Sequence, residues 1–145
     1  MLEIPLVRLD VDLPVPSYAQ LGDAGCDLVA RYGAVLAPAG GRATVPTGIA
    51  LEIPEGYAGL VLPRSGLAAR YGVTCLNAPG LIDPGYRGEV AVILLNTDPS
   101  TPYEVQRGDR IAQLVICRVE ETRFAAVESL ETSERGERGF GHSGR

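Results

Sequence analysis

Gly80-Leu81-Ile82-Asp83-Pro84-Gly85-Tyr86-Arg87-Gly88-Glu89-Val90 is the stretch from which the fold is read. Apolar Leu81 and Ile82 run into Asp83-Pro84-Gly85, and Val90 opens a second apolar run that continues to Leu95. Asp can bond its own backbone two residues on, Pro presets its φ angle, and Gly accepts conformations other residues avoid. The stretch therefore reads as a tight hairpin. A turn has no need of Tyr86 and Arg87 behind it, however. Asp83 would stand at the lip of the hairpin, beside an aromatic ring able to flank a ligand. An Asx-type turn carrying a surface tyrosine accounts for the same residues.

The same punctuation recurs along the chain. Turn signals fall at Pro38–Gly41, Pro54–Gly56, Ala78–Gly80, Asp98–Ser100 and Arg107–Asp109, and short apolar runs separate them: Ile49–Ile53, Tyr57–Leu62, Val73–Leu76, Val90–Leu95 and Ile111–Val119. Short strands at regular spacing predict an all-β sandwich or barrel. Only Ser65 to Tyr71 suits a helix, of one or two turns. Val90–Leu95 lacks polar alternation, so both faces of that strand call for cover. Loops of the same chain or another subunit can provide it.

A chain of 145 residues fits one domain, burying roughly 68–70% of its unfolded surface. The formal net charge is −5, which disfavours nucleic-acid backbones and anionic membranes as partners. All 13 basic residues are Arg, which removes Schiff-base and P-loop lysine chemistry and leaves planar guanidinium groups suited to phosphate oxygens. Cys26, Cys75 and Cys117 are widely spaced and lie in or beside apolar runs. They read as small hydrophobes, not as a zinc site or a disulfide framework. Met1–Pro5 has no basic end or long apolar run, and no apolar segment is long enough to cross a bilayer, so a cytoplasmic protein is expected.

Four further stretches accompany the hairpin: Asp23–Leu28 (Asp-Ala-Gly-Cys-Asp-Leu), Pro63–Ala68 (Pro-Arg-Ser-Gly-Leu-Ala), Arg107–Leu114 (Arg-Gly-Asp-Arg-Ile-Ala-Gln-Leu) and Arg135–Gly144 (Arg-Gly-Glu-Arg-Gly-Phe-Gly-His-Ser-Gly). In this order the five resemble the motifs of the homotrimeric, bacterial-type dUTP pyrophosphatases (dUTPases), from about Asp23 to the C-terminus. The resemblance implies a distorted jelly-roll β-barrel in residues 1–130. It also implies a C-terminal arm, 131–145, exchanged within a homotrimer and closing over an active site. The implied reaction is hydrolysis of dUTP to dUMP and pyrophosphate by in-line attack of water on the α-phosphorus. Such a reaction limits uracil in DNA and supplies dUMP for dTMP synthesis.

It also implies roles, residue by residue. Asp83 would orient and deprotonate the water and touch the sugar 3′-hydroxyl, while the Tyr86 ring packs under deoxyribose. Asn77 and the backbone of Gly80, Leu81 and Ile82 would read the uracil edge. Arg64, Ser65 and Gly66 would contact the phosphates, with Gln113 near the α-phosphate. On residues alone, Ser65 is equally an ordinary helix N-cap. Asp109 is read as a turn former. Asp27 would hold Mg²⁺ through water, in keeping with a cation that retains its waters. In the arm, Arg135 would grip the terminal phosphates and Phe140 would stack on uracil, next to Gly141, His142 and Ser143. Ala91 stands where many bacterial relatives carry a basic residue, and Cys26 fills a variable slot.

Two rivals share this scaffold. A dCTP deaminase would need a water-activating Glu and usually an Arg-Ser-Ser motif, against Arg64-Ser65-Gly66 here. A non-catalytic trimeric regulator would be expected to lose Asp83 or the arm. Taken by composition, the arm is a glycine-rich end with a single large apolar residue, Phe140, and is expected to be mobile when free.

Overall fold

The computed structural model describes residues 1–139. Ten strands and one helix follow in order: β1 (Leu6–Arg8), β2 (Cys26–Val29), β3 (Ala34–Leu36), β4 (Arg42–Leu51), β5 (Tyr57–Leu62), α1 (Ser65–Tyr71), β6 (Val73–Cys75), β7 (Gly80–Ile82), β8 (Glu89–Asn96), β9 (Tyr103–Val105) and β10 (Arg110–Arg118). One sheet runs β1-β4-β8-β6, a second β2-β10-β5-β7, and β3 and β9 form a two-stranded ribbon. All described pairings are antiparallel. The result is the expected all-β sandwich of jelly-roll kind with one short helix.

Alternation explains the core. On β8, Val90, Val92, Leu94 and Asn96 are buried, the three apolar ones sharing one core with Leu28, Ile111 and Leu114 of the other layer and with Ile53 of the β4–β5 loop. Each apolar side chain among these, removed from water, contributes roughly 1.5–3 kcal/mol. The opposite face of β8 carries Ala91, which is exposed, and half-buried Ile93 and Leu95. An inner strand of its sheet thus has an apolar outer face that this chain covers only in part. The helix begins where expected and ends because Gly72 turns left-handed (φ 65°), its N–H donating to Ala68 O. A side chain there would strike Thr97.

The hairpin expectation is corrected. The turn at Asp83 exists, with Tyr86 N donating to Asp83 O at 3.1 Å. Its flanking strands do not pair with each other: β7 pairs with β5 in one sheet, and β8 with β4 and β6 in the other. Asp83–Gly88 is therefore a crossover from one layer to the other. The long strand β4 begins at Arg42, well before the apolar run from Ile49, because Thr44 and Pro46 interrupt its pattern yet stay paired with Ile93 and Ala91, the register shifting only after Pro46. Buried Thr47 donates its hydroxyl to Val90 O at 2.6 Å. Of the cysteines only Cys75 is buried, its thiol pushed up to about 11 by burial; all three are free.

An ionic knot ties the N-terminal segment to both layers. Arg107 grips both Asp10 oxygens and donates to Arg31 O at 2.9 Å. Arg31 donates in turn to Glu89 Oε1 at 3.1 Å and Oε2 at 3.2 Å, and to Leu9 O at 2.9 Å. Glu89 Oε1 also accepts from Gly48 N at 2.9 Å. Gly48 has φ 76°, at the irregularity in β4 between Pro46 and Ala50.

The hydrogen bond from Arg107, with the nearby charges of Arg107 and Arg31, holds the Asp10 carboxyl down from 3.8 to about 2. A carboxyl depressed in the folded state adds stability above its unfolded value and loses it as pH falls through the folded one. Asp10→Asn should therefore lower the melting temperature at pH 7. The gap from the parent should close between about pH 4 and pH 2, which thermal melts across that range would check.

Candidate active site

Asp27 on β2, Gln113 on β10 and Leu62 on β5 lie in register as one row across three strands. Paired residues of a sheet present side chains to one face, so Asp27 and Gln113 are neighbours. Gly25 helps make the room, since a β-carbon there would sit 3.3 Å from Gln113 Cβ. Two residues beyond Leu62 comes Arg64, whose Nε lies 3.3 Å from Asp27 Oδ1. Arg110, at the irregular start of β10, places Nη1 3.2 Å from Asp27 Oδ2. Arg64 also donates to Arg110 O at 3.1 Å. One carboxylate thus holds two guanidinium groups at a single end of the sheet. Arg110 was passed over in the sequence reading, although it follows directly on the Asp109 turn.

Arg64, not Ser65, is the N-cap of α1, and no side chain caps the helix. The ordinary N-cap reading of Ser65 is therefore set aside: Ser65 is the first helical residue. Ser65 and Gly66 are exposed, and a β-carbon on Gly66 would meet nothing within 4 Å. Asp109 makes its turn as expected, its carboxylate accepting from Gln106 N at 2.8 Å.

Asp27 Oδ1 is buried and forms no hydrogen bond within the described residues, its Arg64 contact being an ion pair only. No group of three or more His, Cys, Asp or Glu side chains that could hold a metal occurs among the described residues. A cation needing a complete protein cage does not fit here. One that keeps its waters and leans on a single carboxylate does.

A second group lies along the crossover. Leu81, Ile82, Asp83, Tyr86, Glu89, Val90, Ala91, Ile93 and Thr44 line a cleft of about 250 Å³. Asp83 and Tyr86 are exposed at it, and Tyr86 donates its hydroxyl to Glu89 O at 3.0 Å. From outside, Arg87 braces the turn through the carbonyls of Pro84 and Tyr86 and an ion pair to Glu52 at 3.5 Å. Ala91 contributes only a methyl group to this cleft. Exposed Asn77 reaches back over Gly80, where a β-carbon would lie 3.2 Å from its Nδ2. Gly80 and Ile82 are buried and Leu81 is exposed.

The two groups stay apart within one chain: the cleft at Asp83 and Tyr86 includes none of Asp27, Arg64, Ser65, Gly66 or Gln113. Nor does the C-terminal segment join them. Residues 119–139 are exposed throughout, and among the described residues Arg135 exchanges hydrogen bonds only with Arg138, at 3.0 and 2.9 Å. Phe140, Gly141, His142 and Ser143 lie outside the described residues.

The chain resembles known proteins over nearly its whole length. A deoxyuridine 5′-triphosphate nucleotidohydrolase of Thermobifida fusca is 60% identical over 97% of this chain and 78% of its own length. One from Corynebacterium glutamicum is 55% identical over 98% and 95%. Among solved structures, the dUTPase of Staphylococcus bacteriophage 80alpha with dUpNHpp superposes with a TM-score of 0.90 at 30% identity, over 99% of both chains. A mutant dUTPase of Staphylococcus aureus phage phi11, described with a structural Mg(II) ion, gives 0.81 at 26% identity over 90% and 99%. The dUTPase family model matches residues 12–144, and the chain belongs to the dUTPase family.

Proposed function

We propose that this chain is a dUTP diphosphatase, converting dUTP and water to dUMP and pyrophosphate, and that three copies assemble its active sites. One observation carries the reading. The chain gathers two guanidinium groups, Arg64 and Arg110 about Asp27, at one place and opens the cleft of Asp83 and Tyr86 at another, which we read as a phosphate half and a nucleoside half. Each is a fragment of what the reaction needs, and neighbouring copies in a ring can bring them together.

In the assembled site the uracil edge faces Asn77 and the backbone of Gly80, Leu81 and Ile82. Strand backbone offers donors and acceptors at fixed spacing, and leaving them unpaired is costly, which rejects the wrong base. Tyr86 lies under the deoxyribose. The phosphates meet Arg64, Ser65 and Gly66, with Gln113 at the α-phosphate. Water held by Asp83 attacks the α-phosphorus, its proton passing to the carboxylate as the bond to the bridging oxygen breaks and pyrophosphate leaves. Such chemistry is chiefly positioning and charge neutralisation.

Mg²⁺ riding on the phosphate chain would add further neutralisation, with Asp27 holding it through water. Residues 131–145 then act as an arm over a neighbour's site, Arg135 on the terminal phosphates and Phe140 on the base. Gly141, His142 and Ser143 complete its contacts. The half-covered outer face of β8 and the exposed run of Phe124, Val127 and Leu130 supply apolar surface for assembly.

Asp83→Asn is nearly isosteric and should leave melting and nucleotide binding unchanged while turnover falls about 10²–10⁴-fold. Near-parental turnover, measured as pyrophosphate release, would remove Asp83 from the mechanism. Removing the residues after Ser133 should leave a trimer mass by light scattering and collapse dUTP hydrolysis. A monomer mass for the full chain contradicts the shared site, and full activity in the truncated chain contradicts the role of the arm.

A further inference from the structure

Gly88 is exposed, and its backbone has no left-handed φ angle. Nothing in the turn itself asks for glycine there. What excludes a side chain is Tyr86. A β-carbon on residue 88 would lie 2.6 Å from Tyr86 Cζ and 3.0 Å from Cε2, and closer still to the hydroxyl oxygen. Carbon atoms in ordinary contact sit about 3.5–4.0 Å apart. The ring edge therefore occupies the space a side chain would take.

The ring is held down in that space. Its hydroxyl donates to Glu89 O at 3.0 Å. The next bonds along are made by the Glu89 side chain, which accepts from Arg31 and from Gly48 N. The carbonyl that anchors the ring thus belongs to a residue clamped to both β4 and the segment after β2. We infer that Gly88 and the Glu89 carbonyl are positioning elements that set the depth of the Tyr86 ring in the cleft, and through it the discrimination between deoxyribose and ribose. The inference rests on the reading of Tyr86 as the residue beneath the sugar.

The magnitude follows from the geometry. A methyl group at residue 88 displaces the ring by about 1 Å to reach normal contact. A misplacement of that size can cost on the order of 10²-fold in rate. A raised or tilted ring packs less well on deoxyribose and no longer defines the space beside C2′. The preference for dUTP over UTP, as a ratio of kcat/KM values, should narrow about ten- to a hundredfold in Gly88→Ala. Melting temperature should hardly change, because residue 88 has no left-handed φ to strain and the ring that yields to the methyl group lies at the surface.

The test is a cycle on the full-length chain with Mg²⁺, following kcat/KM for dUTP and UTP together with melting. Its members are the parent, Gly88→Ala, Tyr86→Ala, the double variant and Tyr86→Phe. Tyr86→Ala should narrow the ratio, Gly88→Ala should narrow it, and the double variant should go no further than Tyr86→Ala, because the two act through one ring. Tyr86→Phe, losing only the tether to Glu89 O, should narrow it in part. An unchanged ratio in Gly88→Ala, with Tyr86→Ala narrowed, overturns the role of Gly88 and leaves that of Tyr86 standing. Equal effects of Gly88→Ala in both backgrounds, on ratio or on melting, show an action not routed through the ring and overturn it too. An unchanged ratio in Tyr86→Ala removes the underlying reading of Tyr86 itself.

Discussion

The carboxylate of Glu89 is the point on which the arrangement turns. It stands at the first residue of β8, where the chain has just crossed from one sheet to the other, and it accepts two bonds from Arg31 and one from Gly48 N. Hydrogen bonds to a charged group contribute about 1.5–3 kcal/mol each when well sheltered, and this one is about a quarter exposed. Arg31 carries the connection on to Asp10 and, through its carbonyl, to Arg107 in the turn before β10. Three loops distant in sequence are thereby fixed to one another. The crossover with Asp83 and Tyr86 departs from a rigid base, which the proposed role beneath a sugar would require.

The end of the sheet proposed to take the phosphates is built differently. Asp27 draws Arg64 and Arg110 together with one carboxylate for two cations, leaving positive charge in excess in a protein whose overall charge is −5. A triphosphate approaching an acidic protein meets local attraction only where guanidinium groups are gathered in this way. The same pairing keeps the two side chains ordered before any ligand arrives, which lowers the entropy cost of binding. Gly66 adds open space beside them at the uncapped end of α1.

Much of this was legible in the sequence, for local reasons. β5 spans the Tyr57–Leu62 run, and α1 the only stretch suited to a helix, because a compact apolar pattern and a following Gly72 define each by itself. The short strands β1, β2, β3 and β9 carry too few residues to show a period. The first half of β4 was hidden by Pro46, which still keeps its register with Ala91, and by Thr47, whose hydroxyl finds Val90 O. The supposed hairpin failed for a non-local reason: which sheet a strand joins is decided by distant partners, Gly59–Val61 for β7 and the β4 and β6 strands for β8. The proposed site residues were picked out as motifs, whereas Arg110 and Gly88 gained meaning only from the side chains beside them.

The proposed reaction requires the cleft of Asp83 and Tyr86 to accept uracil on deoxyribose and the end at Arg64 and Arg110 to take the phosphates. The most direct measurement incubates the full-length chain and Mg²⁺ with dUTP, UTP, dTTP and dCTP in parallel, following pyrophosphate and ammonia. Pyrophosphate from dUTP at a rate about 10²-fold or more above the other three, with no ammonia from any, is the predicted result. Comparable turnover of dCTP, or ammonia released from it, would contradict the account and place the chain's chemistry at the base instead of the α-phosphorus.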